Sequence, residues 1–221
     1  MDAFADPQLA ARYAENPPRM VPGFADMQRM AMLLIAERAP DDAKVLVLGA
    51  GGGLEIKVFA TAKPGWGFVA VDPSAPMLDL ARLTLGELAA RASFHQGFID
   101  IAPAGPFDAG ACILTLHFIE REERLRTLRE VRRRLKPGAP FVVAHYSIPQ
   151  DEVDLWMSRV AAFAISSGIE PSHARKAQDA VAERLPILSP EDDQQLLYEA
   201  GFSEISLFYA GFAFRGWVAY A

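Results

Sequence analysis

The sequence predicts an α/β domain built on a doubly wound, largely parallel sheet. Between about residue 24 and residue 145, short apolar segments alternate with amphipathic segments of helical length. A glycine cluster follows the first apolar segment, in VLVLGAGGG. Alternation of this kind places helices on both faces of a parallel sheet. A glycine-rich turn after the first strand is typical of a site for a nucleotide-like ligand.

The individual elements follow from apolar spacing and from Pro, Gly and Asp stop signals. Helices are predicted at residues 24–38, 54–62, 75–90, 120–135, 151–167, 172–184 and 191–200. Strands are predicted at residues 44–48, 68–71, 92–97, 107–116, 141–145, 205–209 and 214–220. The last two strands lie close together in the sequence, so we expect an antiparallel hairpin at the sheet edge.

Composition limits the classes of function. The 221 residues fit one domain, and the net charge of −6 gives no global basic field, so a nucleic-acid partner is not expected. The single cysteine, Cys112, excludes an internal disulfide, and the histidines show no metal-binding spacing. No apolar segment reaches membrane-spanning or signal-peptide length, so we expect a cytoplasmic protein that does not enter membranes.

The glycine spacing disfavours two common nucleotide motifs. Gly49, Gly51 and Gly53 form G-x-G-x-G, whereas a dinucleotide fingerprint would need its third glycine where Leu54 stands. No Gly-Lys-Ser/Thr follows, so a Walker-type phosphate loop is absent as well. Asp72 closes the second strand about 20 residues later, the spacing at which a carboxylate meets ribose hydroxyls. The plainer alternatives are a tight turn without a ligand and a helix-capping Asp72.

Four segments in order resemble the motifs of class I S-adenosylmethionine-dependent methyltransferases: VLVLGAGGG, VDPSAPMLDLAR, FDAGACILTLHFI and RRRLKPGAPFVVAHYS. This resemblance implies a Rossmann-like sheet of seven strands whose last strand is antiparallel, and S-adenosylmethionine as the cofactor. It also implies a single domain over residues 1–221. Residues 1–40 and the inserted residues 148–190 would then form a helical cap.

The resemblance also implies which residues hold the cofactor. The glycine turn would admit the methionine moiety, and Asp72 would accept the ribose hydroxyls. The implied cofactor-binding residues are Gly49, Ala50, Gly51, Gly53, Asp72, Pro73, Met77, Phe98, Ile99, Ile113, Leu114 and Phe24. Core packing is an alternative role for several apolar members of this set.

The reacting groups are less well indicated. His117 and Tyr146 are candidates for a catalytic role, and neither is assigned one. Trp156 and Phe163 in the inserted segment are candidates for an apolar acceptor pocket, or for a buried helix seam. The acceptor itself is not identified, and the oligomeric state is open, with a homodimer as one candidate.

A second resemblance concerns the carboxy-S-adenosylmethionine synthases of tRNA wobble-uridine modification, through RMVPGFADM and AGFSEISLFYAGFAF. Those enzymes hold an extra carboxylate with an Arg on the penultimate helix and a Tyr after V-P-G. The matching positions here are Leu196 and Phe24, which supply neither a cation nor a hydroxyl. A partly buried carboxylate without its partner would cost about 2–5 kcal/mol.

The sequence therefore predicts methyl transfer from S-adenosylmethionine to a small-molecule acceptor. Three alternatives stay open: a synthase of the kind just described, a nicotinamide-dependent oxidoreductase, and a non-catalytic module that binds S-adenosylmethionine. Leu54 disfavours the oxidoreductase.

Overall fold

The computed structural model describes residues 15–221, in which one seven-stranded sheet carries helices on both faces. The strands are β1 Lys44–Leu48, β2 Gly67–Asp72, β3 Ala92–Gln96, β4 Ala109–Ile113, β5 Pro140–Tyr146, β6 Ser203–Gly211 and β7 Phe214–Tyr220. The helices are α1 Pro17–Met20, α2 Phe24–Ala36, α3 Leu54–Ala62, α4 Ala75–Leu85, α5 Arg121–Arg134, α6 Val153–Ser166, α7 Pro171–Arg184 and α8 Pro190–Glu199.

The strand order is β3-β2-β1-β4-β5-β7-β6. Strands β1 to β5 pair in parallel, while β7 runs antiparallel to both β5 and β6. The chain starts in the middle, winds to the β3 edge and returns to β4, so the order reverses between β1 and β4. Ligands of doubly wound sheets bind at such a switch point, outside the carboxyl ends of the strands. The prediction of a Rossmann-like seven-stranded sheet with an antiparallel last strand is confirmed.

Strand β1 shows why the sheet is covered on both faces. Val45 and Val47 point into one apolar core, against α2 and α3, while Leu46 and Leu48 point into a second core with α5 and α8. Alternate residues of a strand face opposite sides, so a run of four apolar residues requires cover on both. This burial fixes the position of the turn that follows β1.

Several predicted elements end earlier than the sequence pattern indicated. The helix predicted over 75–90 stops at Leu85, because Gly86 adopts φ 56° and a 3-10 segment, Gly86–Arg91, follows. The strand predicted over 107–116 is β4 alone, because Leu114 turns the chain with φ 56°. The helix predicted over 24–38 ends at Ala36, and the single turn α1 was not predicted.

The inserted helices α6 and α7 lie between β5 and α8 and pack against each other, and α1 packs on α6. They fall within residues 148–190, the inserted part of the predicted cap. Of the other part, residues 1–40, the first fourteen lie outside the described residues. In the described range, no helix has the length and apolar character needed to cross a membrane.

Candidate functional site

A cleft of ≈ 210 Å³ lies at the carboxyl ends of β1, β2 and β4, where the strand order reverses. Most of the residues predicted to bind the cofactor line it. Those residues are Gly49, Gly51, Asp72, Pro73, Met77, Phe98, Ile99 and Leu114. The topology therefore brings together, at one edge of the sheet, residues from the ends of four strands, β1 to β4.

The turn after β1 is held against β2 and β4 by hydrogen bonds. Gly49 and Ala50 donate their backbone N–H groups to the Val71 carbonyl, at 2.8 and 3.1 Å. A Cβ on Gly49 would lie 2.0 Å from Oγ1 of Thr115, so only glycine fits beside that threonine. Thr115 Oγ1 in turn donates to the Ile113 carbonyl at 3.1 Å. The turn is thus open on its cleft side and closely packed behind.

The Asp72 carboxylate holds the same turn. Oδ2 accepts from the backbone N–H of Gly51 and Oδ1 from that of Ser74, each at 2.9 Å. Burial raises the pKa of Asp72 against the lowering effect of these two bonds. The side chain still borders the cleft, and each carboxylate oxygen has a further lone pair for a ligand hydroxyl. Capping and ligand binding are therefore compatible at this residue.

The far end of the cleft is apolar. Phe98 is 50% exposed and Ile99 is buried, so the ring forms an accessible face and the isoleucine a floor. Asp100, which follows Ile99, pairs with Arg126 on α5 at 2.7 and 3.0 Å. Its carboxylate is therefore already engaged by a cation.

Four residues predicted to bind the cofactor do not line the cleft. Ala50 and Ile113 are buried beneath it, and Phe24 lies on α2 in the core between that helix and the sheet. Gly53 begins α3, where an added Cβ would lie 3.0 Å from Cβ of Ala81 on α4. This glycine therefore serves the close approach of two helices.

Sequence reasoning missed several lining residues. Thr115, Phe118 and Ile119 border the cleft immediately after β4. Their place after a strand end was the available signal. The left-handed φ of Leu114 turns the chain here, and such a conformation is costly for a residue with a side chain.

His117 is a poor candidate for a general base. Its Nδ1 accepts from the backbone N–H of Tyr146 at 3.3 Å, so the neutral ring carries its proton on Nε2. Burial, with His145 and Arg124 nearby, holds the pKa of His117 well below its ordinary value. The ring is therefore a neutral hydrogen-bond donor at physiological pH.

Tyr146 and its neighbour His145 face opposite sides of β5. The Tyr146 ring packs on Phe214 at a centroid distance of 4.2 Å, and the His145 ring lies 5.7 Å from Trp217. Burial raises the pKa of Tyr146 above its ordinary value. The phenol therefore stays protonated and acts as a hydrogen-bonding group.

The two aromatic residues proposed for an acceptor pocket lie on α6. Trp156 donates to Glu152 at 2.6 Å and lies against the guanidinium groups of Arg159 and Arg215, at 4.3 and 5.5 Å. Phe163 meets Phe212 edge-on at 6.2 Å. Neither borders the cleft, so both contribute to the surface and packing of the inserted helices.

Glu55, at the start of α3, is a buried carboxyl that sequence reasoning missed. Its Oε1 has no hydrogen-bond partner among the described residues. Burial raises the pKa of Glu55 to about 8, with a further rise from Asp72. The group is therefore mostly protonated at neutral pH, directly behind the glycine turn. Within residues 15–221, no group of three or more His, Cys, Asp or Glu side chains is placed to hold a metal ion.

The comparisons with known proteins agree with this geometry. Residues 45–138 match the family described as the methyltransferase domain. A putative O-methyltransferase from Nostoc punctiforme shares the fold with a TM-score of 0.71 at 19% identity, over 97% of this chain and 59% of its own. The structure of PigF with S-adenosylhomocysteine has a TM-score of 0.67 at 17% identity, over 100% of this chain and 61% of its own. The chain thus spans about three fifths of these structures.

Residues 45–138 therefore match a methyltransferase domain, and the fold is the one found in S-adenosylmethionine-dependent methyltransferases. These matches support an enzyme with S-adenosylmethionine as its cofactor. The chain's curated relatives include carboxy-S-adenosyl-L-methionine synthases. The one from Aeromonas salmonicida is 23% identical over 220 residues, 97% of this chain and 89% of the relative. The one from Chromohalobacter salexigens is 25% identical over 224 residues, which are 97% of this chain and 82% of the relative.

Proposed function

We propose that the enzyme transfers the methyl group of S-adenosylmethionine to a small-molecule acceptor by in-line displacement. The observation that carries the proposal is the Asp72 carboxylate, which fixes the glycine turn through Gly51 and also faces the cleft. One residue thereby ties the part of the site suited to the methionine moiety to the part suited to the ribose.

The cleft fits the cofactor chemically. Gly49 and Gly51 line the cleft without side chains, which leaves room for the polar amino-acid end, and Asp72 offers acceptors for a diol. Phe98 and Ile99 provide the apolar surface that an adenine ring needs. These contacts are proposals for the residues named.

For this reaction, the main task of the protein is to hold the two substrates in the correct orientation. S-adenosylmethionine supplies a methyl group already activated by its sulfonium. The chain's residues orient the reactants and exclude water, which are the main contributions available in such a displacement. We propose that helices α6 and α7 form the cap over the acceptor. His117, in the segment that follows β4, is a neutral donor and is therefore not set up as a base.

The synthase activity is the second candidate, because these relatives match over nearly the whole chain. The position that matches the Arg of those enzymes, Leu196, lies on α8, the last helix of the structure, and supplies no cation for an extra carboxylate. Helix α8 reads PEDDQQLLYE, with no Arg or Lys at any position, and Leu196 is buried in the core. Phe24 is likewise buried and has no hydroxyl. We therefore expect no consumption of prephenate in the presence of S-adenosylmethionine.

Calorimetry tests the proposal directly. S-adenosylmethionine and its demethylated product should each bind one site per chain, whereas a nicotinamide dinucleotide should not bind. Methyl transfer over an acceptor panel then separates an enzyme from a binding module. Absence of binding by either adenosyl compound, or turnover of prephenate, would overturn the proposed function. Homodimerisation stays a prediction, to be measured by sedimentation.

A further inference from the structure

Tyr146 and Gln178 form an isolated polar pair in the apolar layer between β5 and the inserted helices. Tyr146 ends β5, and Gln178 lies on α7, thirty-two residues along the chain. The phenol oxygen lies 3.4 Å from Oε1 of Gln178. Both side chains are buried, with exposed fractions of 5% and 2%.

This pair has more hydrogen-bond donors than partners. Nε2 of Gln178 is buried and has no acceptor among residues 15–221. The two side chains hold three donor hydrogens, two on the amide and one on the phenol, and their mutual bond uses one. In either orientation of the amide, two donors are left over. A buried unpaired donor costs about 1–3 kcal/mol, so the arrangement calls for a further acceptor.

The pair is connected to the cofactor cleft through His117. The backbone N–H of Tyr146 donates to Nδ1 of His117, and the two rings are 5.1 Å apart. His117 stands between Leu116 and Phe118 in the segment after β4, and Thr115 and Phe118 line the cleft. A molecule held by the pair would therefore lie beside the turn that follows β4.

We propose that Gln178, held by Tyr146, binds a neutral oxygen of the methyl acceptor, as a carbonyl or ether group would present. This inference rests on the proposed function and names the class of its second substrate. The bond between the two side chains is at the long end of the hydrogen-bond range, so an entering oxygen displaces little.

The surroundings select an uncharged ligand. The ring of Phe214 packs on Tyr146, and the His117 ring beside it is neutral. Burial raises the pKa of the Tyr146 phenol and outweighs the lowering effect of the Gln178 hydrogen bond. A carboxylate placed here would lose its hydration without gaining a cation.

Acetophenone and benzoate are matched probes, since they have similar size and differ in charge. Each is titrated into protein saturated with S-adenosylhomocysteine, and the side-chain amide resonances of 15N-labelled glutamine are followed by NMR. The Gln178→Leu variant assigns the Gln178 signal. We expect acetophenone to move that signal and to bind at least tenfold more tightly than benzoate.

Variants separate recognition from packing. Gln178→Leu and Tyr146→Phe should each weaken acetophenone binding by about five- to tenfold, the equivalent of one lost hydrogen bond. Gln194→Leu, on the exposed face of α8, is the matched control and should bind acetophenone normally. Because Gln178→Leu removes unpaired donors from an apolar layer, its melting temperature should be equal to or above that of the parent chain.

The outcomes are distinct. A lower melting temperature for Gln178→Leu together with unchanged acetophenone affinity would show a purely structural pair and overturn the proposal. So would tighter binding of benzoate, or no acetophenone binding at millimolar concentration. Calorimetry of S-adenosylhomocysteine with each variant tests the cofactor site separately, so a failure there counts against the proposed function.

Discussion

At the scale of single residues, Asp72 performs two tasks with one carboxylate, because it caps two backbone N–H groups and borders the cleft. Asp72→Asn keeps the shape but turns one oxygen into a donor that faces an N–H group. We expect affinity for S-adenosylmethionine to fall by about 1–3 kcal/mol, measured by calorimetry. Asp79→Asn, an exposed change on α4, is the control. Unchanged affinity in a folded Asp72→Asn variant would remove Asp72 from the site.

Glu55 predicts a specific pH dependence of stability. Its folded pKa of about 8 lies above the ordinary value of 4.5. Between pH 4.5 and pH 8, Glu55 is therefore protonated in the folded state and ionised in the unfolded state. This contribution to stability is complete below pH 4.5 and is lost as the pH rises towards 8. In this range the free energy of unfolding falls by up to about 1.4 kcal/mol for each pH unit.

The Glu55→Gln variant lacks this proton uptake. As the pH is raised from 5 to 8, the free energy of unfolding of the variant, measured in urea, should therefore increase relative to that of the parent chain. Glu87→Gln, at an exposed position, should keep a constant difference from the parent. A constant difference for Glu55→Gln as well would show that Glu55 is ionised in the folded state.

At the scale of elements, the start of α3 depends on contact with α4. Gly53→Ala would place Cβ 3.0 Å from Cβ of Ala81, at a φ of +76°. Gly138→Ala is a matched control, because its φ is +74° and no atom lies within 4 Å of the added Cβ. Both changes carry backbone strain of about 1–2 kcal/mol. We expect urea unfolding to show a larger loss for Gly53→Ala, and equal losses would contradict the packing role.

Helices α5 and α8 are joined by a buried ion pair. Arg124 Nη1 lies 2.7 Å from Asp193 Oδ1, and His145 Nε2 lies 3.1 Å from the other carboxylate oxygen. Burial alone would raise the pKa of Asp193, but the contacts with His145, Arg124 and Ser147 outweigh it and leave the pKa below its ordinary value. This stabilisation is present above the ordinary pKa and is lost as the pH falls through the lowered one.

Asp193→Ala should cost about 3–5 kcal/mol of unfolding free energy, because it leaves Arg124 buried without its partner. The double variant Arg124→Leu with Asp193→Leu should recover most of that loss. Removing the exposed Asp79–Arg82 pair should cost only about 0–1 kcal/mol. A double-mutant cycle in urea measures the coupling, and a double variant as unstable as Asp193→Ala would contradict this account.

At the scale of the whole molecule, ligand binding should stabilise the folded chain. S-adenosylhomocysteine at about 100 times its dissociation constant should add about 2.7 kcal/mol. For a domain of this size that raises the melting temperature by about 5–10 °C. A nicotinamide dinucleotide at the same concentration should leave the melting temperature unchanged. No shift with the adenosyl compound at saturation would contradict the assignment of the cleft.

The sequence predicted the sheet and the cleft because both depend on short-range patterns. The apolar run before Gly49 and the carboxylate at Asp72 are local signals, and the parallel topology brings such strand ends together. The contact between Arg124 and Asp193 joins residues sixty-nine positions apart, and that between Tyr146 and Gln178 joins residues thirty-two apart. No local pattern reports such pairs.

The misplaced element ends depend on the backbone conformation of single residues. Gly86 and Leu114 adopt positive φ angles, and these stop the helix and the strand that local periodicity would continue. For Gly53, the sequence showed a place in a glycine motif typical of ligand sites, but it did not show the contact with Ala81 on α4.

The hydrogen bond that fixes the tautomer of His117 bears on how the natural substrate is found. Under the proposed function, an enzyme whose His117 stays neutral depends on the ionisation of the acceptor that it methylates. The pH at which turnover rises should then match the pKa of the free acceptor. Measuring the rate against pH would therefore distinguish between candidate metabolites.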